Sequence, residues 1–239
     1  MDVILYVAFP YLAIILAVGV GIYRKLTNPF SYSSLSSQLL ENKQLFWGSV
    51  PWHYGVTLVL LAHLIAWLVP GVARYVLADP IRLVIFELLG LALSLFTIFG
   101  LAVLIIRRLP GVSRAAAVTS WMDWVILFFL ALQILSGVGV ALFDRWGSLW
   151  FLSSVAPWLW SLVLLHPKIT TVVVLPAFIQ VHILLGFVLI MLFPFSRLVH
   201  IFTIPLKYLR RPYQVVVWYR DPRQRSRRAV AQVGAIKDR

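Results

Sequence analysis

LFWGSVPWHYGVTLVLLAHLIAWLVPGV, residues 45–72, runs for 28 residues without a Lys, Arg, Asp or Glu, yet it carries two histidines, His53 and His63. A helix of about 20 mostly apolar residues crosses the roughly 30 Å hydrocarbon layer of a bilayer. The stretch therefore reads as a spanning helix with ionisable side chains inside it. Such groups are costly in lipid, usually face a bundle interior, and mark function by default.

The rest of the chain has the same character. Of its 239 residues 62% are apolar and 12% charged, more hydrocarbon than one water-soluble core could hide. Five segments are long and apolar enough to span: Val3 to Tyr23, Leu45 to Val72, Leu83 to Ile106, Trp124 to Phe143, and Thr170 to about Ile204. The last carries Pro194 and is expected to bend there. The first begins beside the negative Asp2 and is too long for the apolar core of a signal peptide, so it reads as a retained span. The expected architecture is an all-α transmembrane bundle of five helices, residues 1–219, with a basic tail at 220–239 that lacks apolar periodicity. The chain has no cysteine, which excludes disulfides, iron-sulfur clusters, zinc-thiolate sites and covalent C-x-x-C-H haem attachment within it.

The formal charge of +13 does not point to nucleic acid, because eleven of the 21 Lys and Arg lie at Arg197 or beyond. Five spans with the N-terminus outside put 17 basic residues on the cytoplasmic side and leave Arg74, Arg82, Arg145 and Lys168 outside. Counting Trp146 to His166 as a sixth span gives at best 14 against 7. That segment holds Pro157 and tryptophans at 146, 150, 158 and 160, a composition suited to the headgroup level, so it reads as an interfacial helix on the outer face.

His53 and His63 fall on the second span, His182 and His200 on the fifth. Opposite chain directions pair them by depth: His53 with His200 near the inner face, His63 with His182 nearer the outer. A neutral imidazole is the side chain best suited to haem iron where thiolate is absent. The competing reading is that each histidine only hydrogen-bonds a serine or carbonyl within the bundle. Along straight helices the spacing of 10 between the first two is a rise of about 15 Å and the spacing of 18 between the others about 27 Å, a mismatch of roughly 6 Å per pair. His166, ahead of Pro167 and Lys168, reads as a loop residue.

The segment FPFSRLVHIFTIP, Phe193 to Pro205, followed by KYLRRPYQ at 207–214, resembles the gamma subunit of respiratory nitrate reductase. SSQLL at 36–40, the His53 and His63 pair, RRL at 107–109, and Asp123 with Gln133 support the likeness, which covers most of residues 30–215. The resemblance implies a membrane cytochrome b with two b-type haems, His53 and His200 binding the one nearer the cytoplasm and His63 and His182 the other. It implies a quinol site beside the outer haem, with a basic residue at the start of the third span. Arg82 fills that position here where lysine is familiar, and would act there as the catalytic side chain. An arginine at a span boundary also anchors helices to lipid phosphates, and both readings stand. Arg197 likewise suits either a bidentate contact with a haem propionate or a marker of the inner boundary.

On that resemblance the chain is expected to be a multi-pass subunit of the inner cell membrane that oxidises quinol and passes electrons to an iron-sulfur beta subunit. Nitrate chemistry would belong to a molybdenum-containing alpha subunit. Rival readings are a diheme subunit of another complex, heterodisulfide or sulfite-linked, and a haem-free transporter or membrane anchor whose histidines relay protons.

Overall fold

The computed structural model describes residues 1–32 and 43–203. The SSQLL match, the part of the last expected span and of its motif beyond Thr203, and the tail at 220–239 lie outside the described residues. Within them the chain is helical and contains no strand.

Five helices are long and apolar enough to cross a membrane: Ile4–Thr27, Gln44–Leu68, Pro80–Ile106, Trp121–Phe143 and Ala177–Phe195. The first comprises a π-helical turn, Ile4–Ala8, and α1, Phe9–Thr27. It outlasts the expected end at Tyr23 because Arg24 and Lys25 sit favourably in its last turn, where exposed carbonyls attract cations. The second span, α2, covers Lys43–Leu68. It stops short of the expected Val72 because Pro70 starts a separate helix, α3, Pro70–Leu77. In α4, Pro80–Ile106, the Asp79 carboxylate accepts from the backbone N–H groups of Ile81 and Arg82, which moves the start ahead of Leu83. A reciprocal Ser120–Asp123 capping box starts α5, Trp121–Phe143.

The last span departs most from expectation. Residues 170–175 form turns, and α8, Ala177–Leu192, begins only after Pro176. It ends ahead of Pro194 and passes into two 3₁₀ turns, Phe193–Phe195 and Arg197–Thr203, separated by the extended Ser196. A straight-helix rise between His182 and His200 therefore does not apply, and the mismatch it produced disappears.

Between α5 and α8 runs a third apolar element: α6, Gly147–Trp150, a π-helical turn at Phe151–Val155, and α7, Ala156–Val163. It packs into the main apolar cluster, where Val155, Trp158 and Leu162 meet Tyr6 and Ala13 of the first span and Ile179 and Phe187 of α8. Trp158 is 1% exposed and donates its indole N–H to the Tyr6 carbonyl. Trp160 donates to the Trp67 carbonyl at the end of α2. Trp146 and Trp150, at the start of the segment, are exposed.

The tightest crossing is that of α2 with α4, and it depends on glycine. A Cβ on Gly100 would stand 2.4 Å from the Trp52 nitrogen and 2.7 Å from the Gly48 carbonyl oxygen. One on Gly55 would stand 2.2 Å from Thr97 Oγ1, and one on Gly48 would meet Leu104 at 2.8 Å. Small residues that admit a neighbouring backbone are the usual means of close helix association in lipid. The contacts also fix the antiparallel register: Gly48 faces Leu104, Trp52 faces Gly100, and Gly55 faces Thr97.

Gly100→Ala should therefore force the pair apart and lower stability by about 1–3 kcal/mol, the usual overpacking cost. Gly90→Ala, on the same helix but with nothing within 4 Å of the added carbon, should leave it unchanged or higher. Thermal unfolding of the two detergent-solubilised variants checks the contrast.

Candidate functional site: two facing histidine pairs

The fold brings the four span histidines together in twos. The ring centres of His53 and His200 are 6.1 Å apart with planes at 73°, and those of His63 and His182 are 6.4 Å apart at 40°. Among the described residues no group of three or more His, Cys, Asp or Glu gathers as a metal site would require. His166 is an exposed loop residue, as its place before Pro167 suggested.

In each histidine Nδ1 is engaged with a backbone carbonyl. His53 Nδ1 is 2.7 Å from the Ser49 oxygen, His63 Nδ1 is 2.8 Å from that of Val59, and His200 Nδ1 is 2.6 Å from that of Arg197. A carbonyl only accepts, so these contacts place the proton on Nδ1 and leave Nε2 with its lone pair. His182 reaches the same state across helices: its Nδ1 lies 3.1 Å from the Gln133 carbonyl and 3.0 Å from Ser136 Oγ, both on α5. Gly137 makes room for that ring, since a Cβ there would come within 2.9 Å of His182 Cε1.

Two metal–imidazole bonds of about 2.0 Å, plus about 1.1 Å from each nitrogen to its ring centre, separate opposed rings by about 6.2 Å. Both pairs match that distance. Haem iron, already held by four porphyrin nitrogens, needs only two axial protein ligands, so paired rather than clustered histidines suit it. The rings of His53 and His63 are exposed on α2, and Gln133 Oε1 and Trp67 Nε1, near the second pair, are buried without a hydrogen-bond partner. One contact must adjust: the Gln133 amide nitrogen sits 3.3 Å from His182 Nε2. With that adjustment the residues fit the group.

Arginines hold the turn that carries His200. Arg24, at the end of α1, donates to the carbonyls of Pro194 at 2.7 Å and Ser196 at 3.1 Å, and to the side chain and carbonyl of Ser31. Arg197 Nε pairs with Asp123 Oδ1 at 3.0 Å while its Nη2 donates to the Val118 carbonyl. Asp123 is 7% exposed and its carboxylate also accepts from the backbone N–H of Ser120. Burial pushes Arg108, just beyond α4, below the usual arginine range, while Asp123 acts to raise it and Arg197 and Arg107 act to lower it.

Arg82 stands on the first turn of α4, with Nε 4.0 Å from Asp79 Oδ1, Nη2 3.4 Å from the Tyr75 carbonyl, and its guanidinium over the Tyr75 ring. Glu87, one and a half turns further along, accepts from the backbone N–H of Ser148 at 3.0 Å and from the Ser148 hydroxyl. Sequence reasoning noted Gln133 only as a point of likeness and missed Ser136, Gly137 and Glu87. The i, i+3, i+4 spacing of 133, 136 and 137 was a usable sign of one helix face.

A multi-pass membrane protein, helical through its described residues and with histidines paired at two levels of one helix, is the class that fold and side chains define. Within that class the chain belongs to the nitrate reductase gamma subunit family, whose description matches residues 2–219. It is 35% identical over 216 residues to the nitrate reductase gamma chain of Bacillus subtilis, covering 89% of this chain and 96% of that one. To the respiratory nitrate reductase 2 gamma chain of Escherichia coli it is 27% identical over 230 residues, 90% of this chain and 96% of the relative. The nitrate reductase-like protein NarX of Mycobacterium tuberculosis is 30% identical over 219 residues, 89% of this chain but 33% of that longer protein. The protein is thus a membrane subunit of nitrate reductase, an oxidoreductase with further subunits.

Removing one partner of a largely buried charge pair strands the other, here at a cost toward the lower end of about 3–5 kcal/mol because the Arg197 side chain is 25% exposed. Asp123→Ala should therefore destabilise the protein by that order, and Asp123→Ala with Arg197→Ala by less than the sum of the two single changes. Denaturant unfolding in detergent measures all three.

Proposed function

We propose that the chain is the diheme cytochrome b subunit that anchors nitrate reductase to the cell membrane and oxidises quinol. The observation that carries this reading is the separation of about 6 Å within each histidine pair, which would let two imidazoles bind one iron between them. His53 with His200 would hold one haem and His63 with His182 the other, through Nε2 in every case. Haem bound there would supply one-electron iron chemistry at two depths, and would link quinol at the outer face to an iron-sulfur beta subunit in the cytoplasm. Molybdenum and nitrate chemistry would lie in an alpha subunit.

The chain's own residues prepare this role. Hydrogen bonds to carbonyls orient each ring and raise its basicity as a ligand. Gln133, Ser136 and Gly137 set the His182 ring from α5, and Arg24 with the Asp123–Arg197 pair sets His200. The distribution of basic residues supports an outside N-terminus and a cytoplasmic C-terminus, with segment 146–168 at the outer face of the inner membrane. Electrons moving inward against the membrane potential while protons leave outside would conserve about 2.3 kcal/mol per charge per 100 mV. The contacts of Arg82 with Asp79 and Tyr75 favour its reading as a helix anchor, and the ion pair of Arg197 with Asp123 favours a positioning role over propionate binding.

A pyridine haemochrome assay should return about two haems per chain by the two-axial-ligand rule; a value near one or zero sinks the proposal. His53→Ala and His200→Ala should remove the same haem spectrum, and His63→Ala and His182→Ala the other. Gly137→Ala should join the second class, because its new methyl displaces the His182 ring.

A further inference from the structure

Glu87 is an ionisable side chain within the span Pro80–Ile106, and acidic groups at such depth are kept for a function more often than for packing. The register of α2 against α4 locates it. Continuing the facing pairs Gly48 with Leu104, Trp52 with Gly100 and Gly55 with Thr97 sets Leu89 level with His63. Glu87 is two residues from that level, about 3 Å along the axis, whereas Arg82 is seven residues away, about 10 Å.

Lateral placement comes from the segment after α5. Glu87 Oε1 accepts from both Ser148 N and Ser148 Oγ. Phe151, three residues on and so on the same helical face, packs against His63 with the two rings nearly perpendicular and their centres 5.3 Å apart. Carboxylate and imidazole therefore flank one short stretch of helix at one depth. The tie to Ser148 uses Oε1 alone, and Oε2 has no hydrogen-bond partner among the described residues. An amide oxygen would accept the same two bonds, so the tie does not require an ionisable group.

We propose that Glu87 is the proton acceptor of the outer site, taking a proton from a hydroquinone hydroxyl bound between α4 and residues 148–151 beside His63. The proposal rests on the quinol-oxidising reading above. The O–H bond of the quinol breaks, the proton goes to Oε2, and the bonding pair stays on the quinol oxygen. The quinolate formed is the stronger reductant. Haem held by His63 and His182 would take up its two electrons one at a time; the second hydroxyl proton goes to water, and quinone is released. Glu87 then returns its proton to the outer aqueous phase.

The test uses the assembled nitrate reductase complex in native membranes, comparing Glu87→Gln, Glu87→Asp and Glu87→Ala. Three quantities are read: haem content, the rate of haem reduction by a soluble hydroquinone, and nitrate reduction driven by reduced viologen, which feeds the cytoplasmic subunits directly. Glu87→Gln keeps the bonds to Ser148, so haem content and viologen activity should stay at the wild-type level. Hydroquinone-driven reduction should fall about 100-fold or more, the usual worth of a positioned proton acceptor, and Glu87→Asp should restore part of it. Redox-triggered infrared difference spectra should show a protonated carboxyl band in the wild type that Glu87→Gln lacks.

A glutamine variant with normal hydroquinone kinetics overturns the proposal and leaves Glu87 as a tie between α4 and the segment after α5. Loss of haem in Glu87→Gln overturns it equally, by assigning the residue to structure. A wild-type chain without haem would instead sink the underlying reading of function.

Discussion

A spanning helix can stop inside a bundle only if something accepts responsibility for the backbone groups it releases. α8 stops at Leu192, and the carbonyls of Pro194 and Ser196 are taken by Arg24 from the far end of α1. The break brings the chain around so that His200 opposes His53. A continuous helix would have carried residue 200 roughly 27 Å beyond residue 182 along its axis, while the two histidines of α2 lie about 15 Å apart. One arginine thus permits the change of direction that the facing pairs require. Arg197, tied to Asp123 and the Val118 carbonyl, fixes the far side of the same turn.

The second constraint is the approach of α2 to α4. With Gly48, Gly55 and Gly100 at the contact, the two backbones meet directly, and the register follows from three facing pairs. That closeness occupies one side of α2 and leaves His53 and His63 on another. It also makes depth along α4 readable against depth along α2. Through it the distance from His63 ranks two polar residues of α4, near for Glu87 and far for Arg82.

The five spans were legible because apolar length in a bilayer is a direct physical requirement, and the histidines because charge-capable groups are rare inside such spans. Ends were less legible. Asp79 and Ser120 cap helices ahead of the apolar runs, and Arg24 and Lys25 prolong α1 although an apolar count excludes them. The start of α8 was misplaced by seven residues because residues 170–175 are apolar enough to extend a span, yet Pro176 separates them from it. Nothing local announced that Ser148 would meet Glu87, since 61 residues divide them and the match depends on tertiary contact. Burial of Trp158 was not legible either, because it depends on which face of the segment packs on α1 and α8.

The two pairs differ in what determines them. His53, His63 and His200 each bond to a carbonyl three or four residues earlier, so their orientation comes with the local turn. His182 is oriented from another helix, through the Gln133 carbonyl, Ser136 Oγ and the space at Gly137. Movement of α5 relative to α8 therefore acts on the His182 ring directly, and on His200 only through the turn that the Asp123–Arg197 pair holds. The separation of the pairs is set differently again, by the ten residues from His53 to His63 on one helix. Pro51 lies before that interval and Pro70 after it, so no proline interrupts the rise between them. The spacing of the two levels is thus a property of α2 itself, while the partners that face it come from α8 and from the 3₁₀ turn that follows its break.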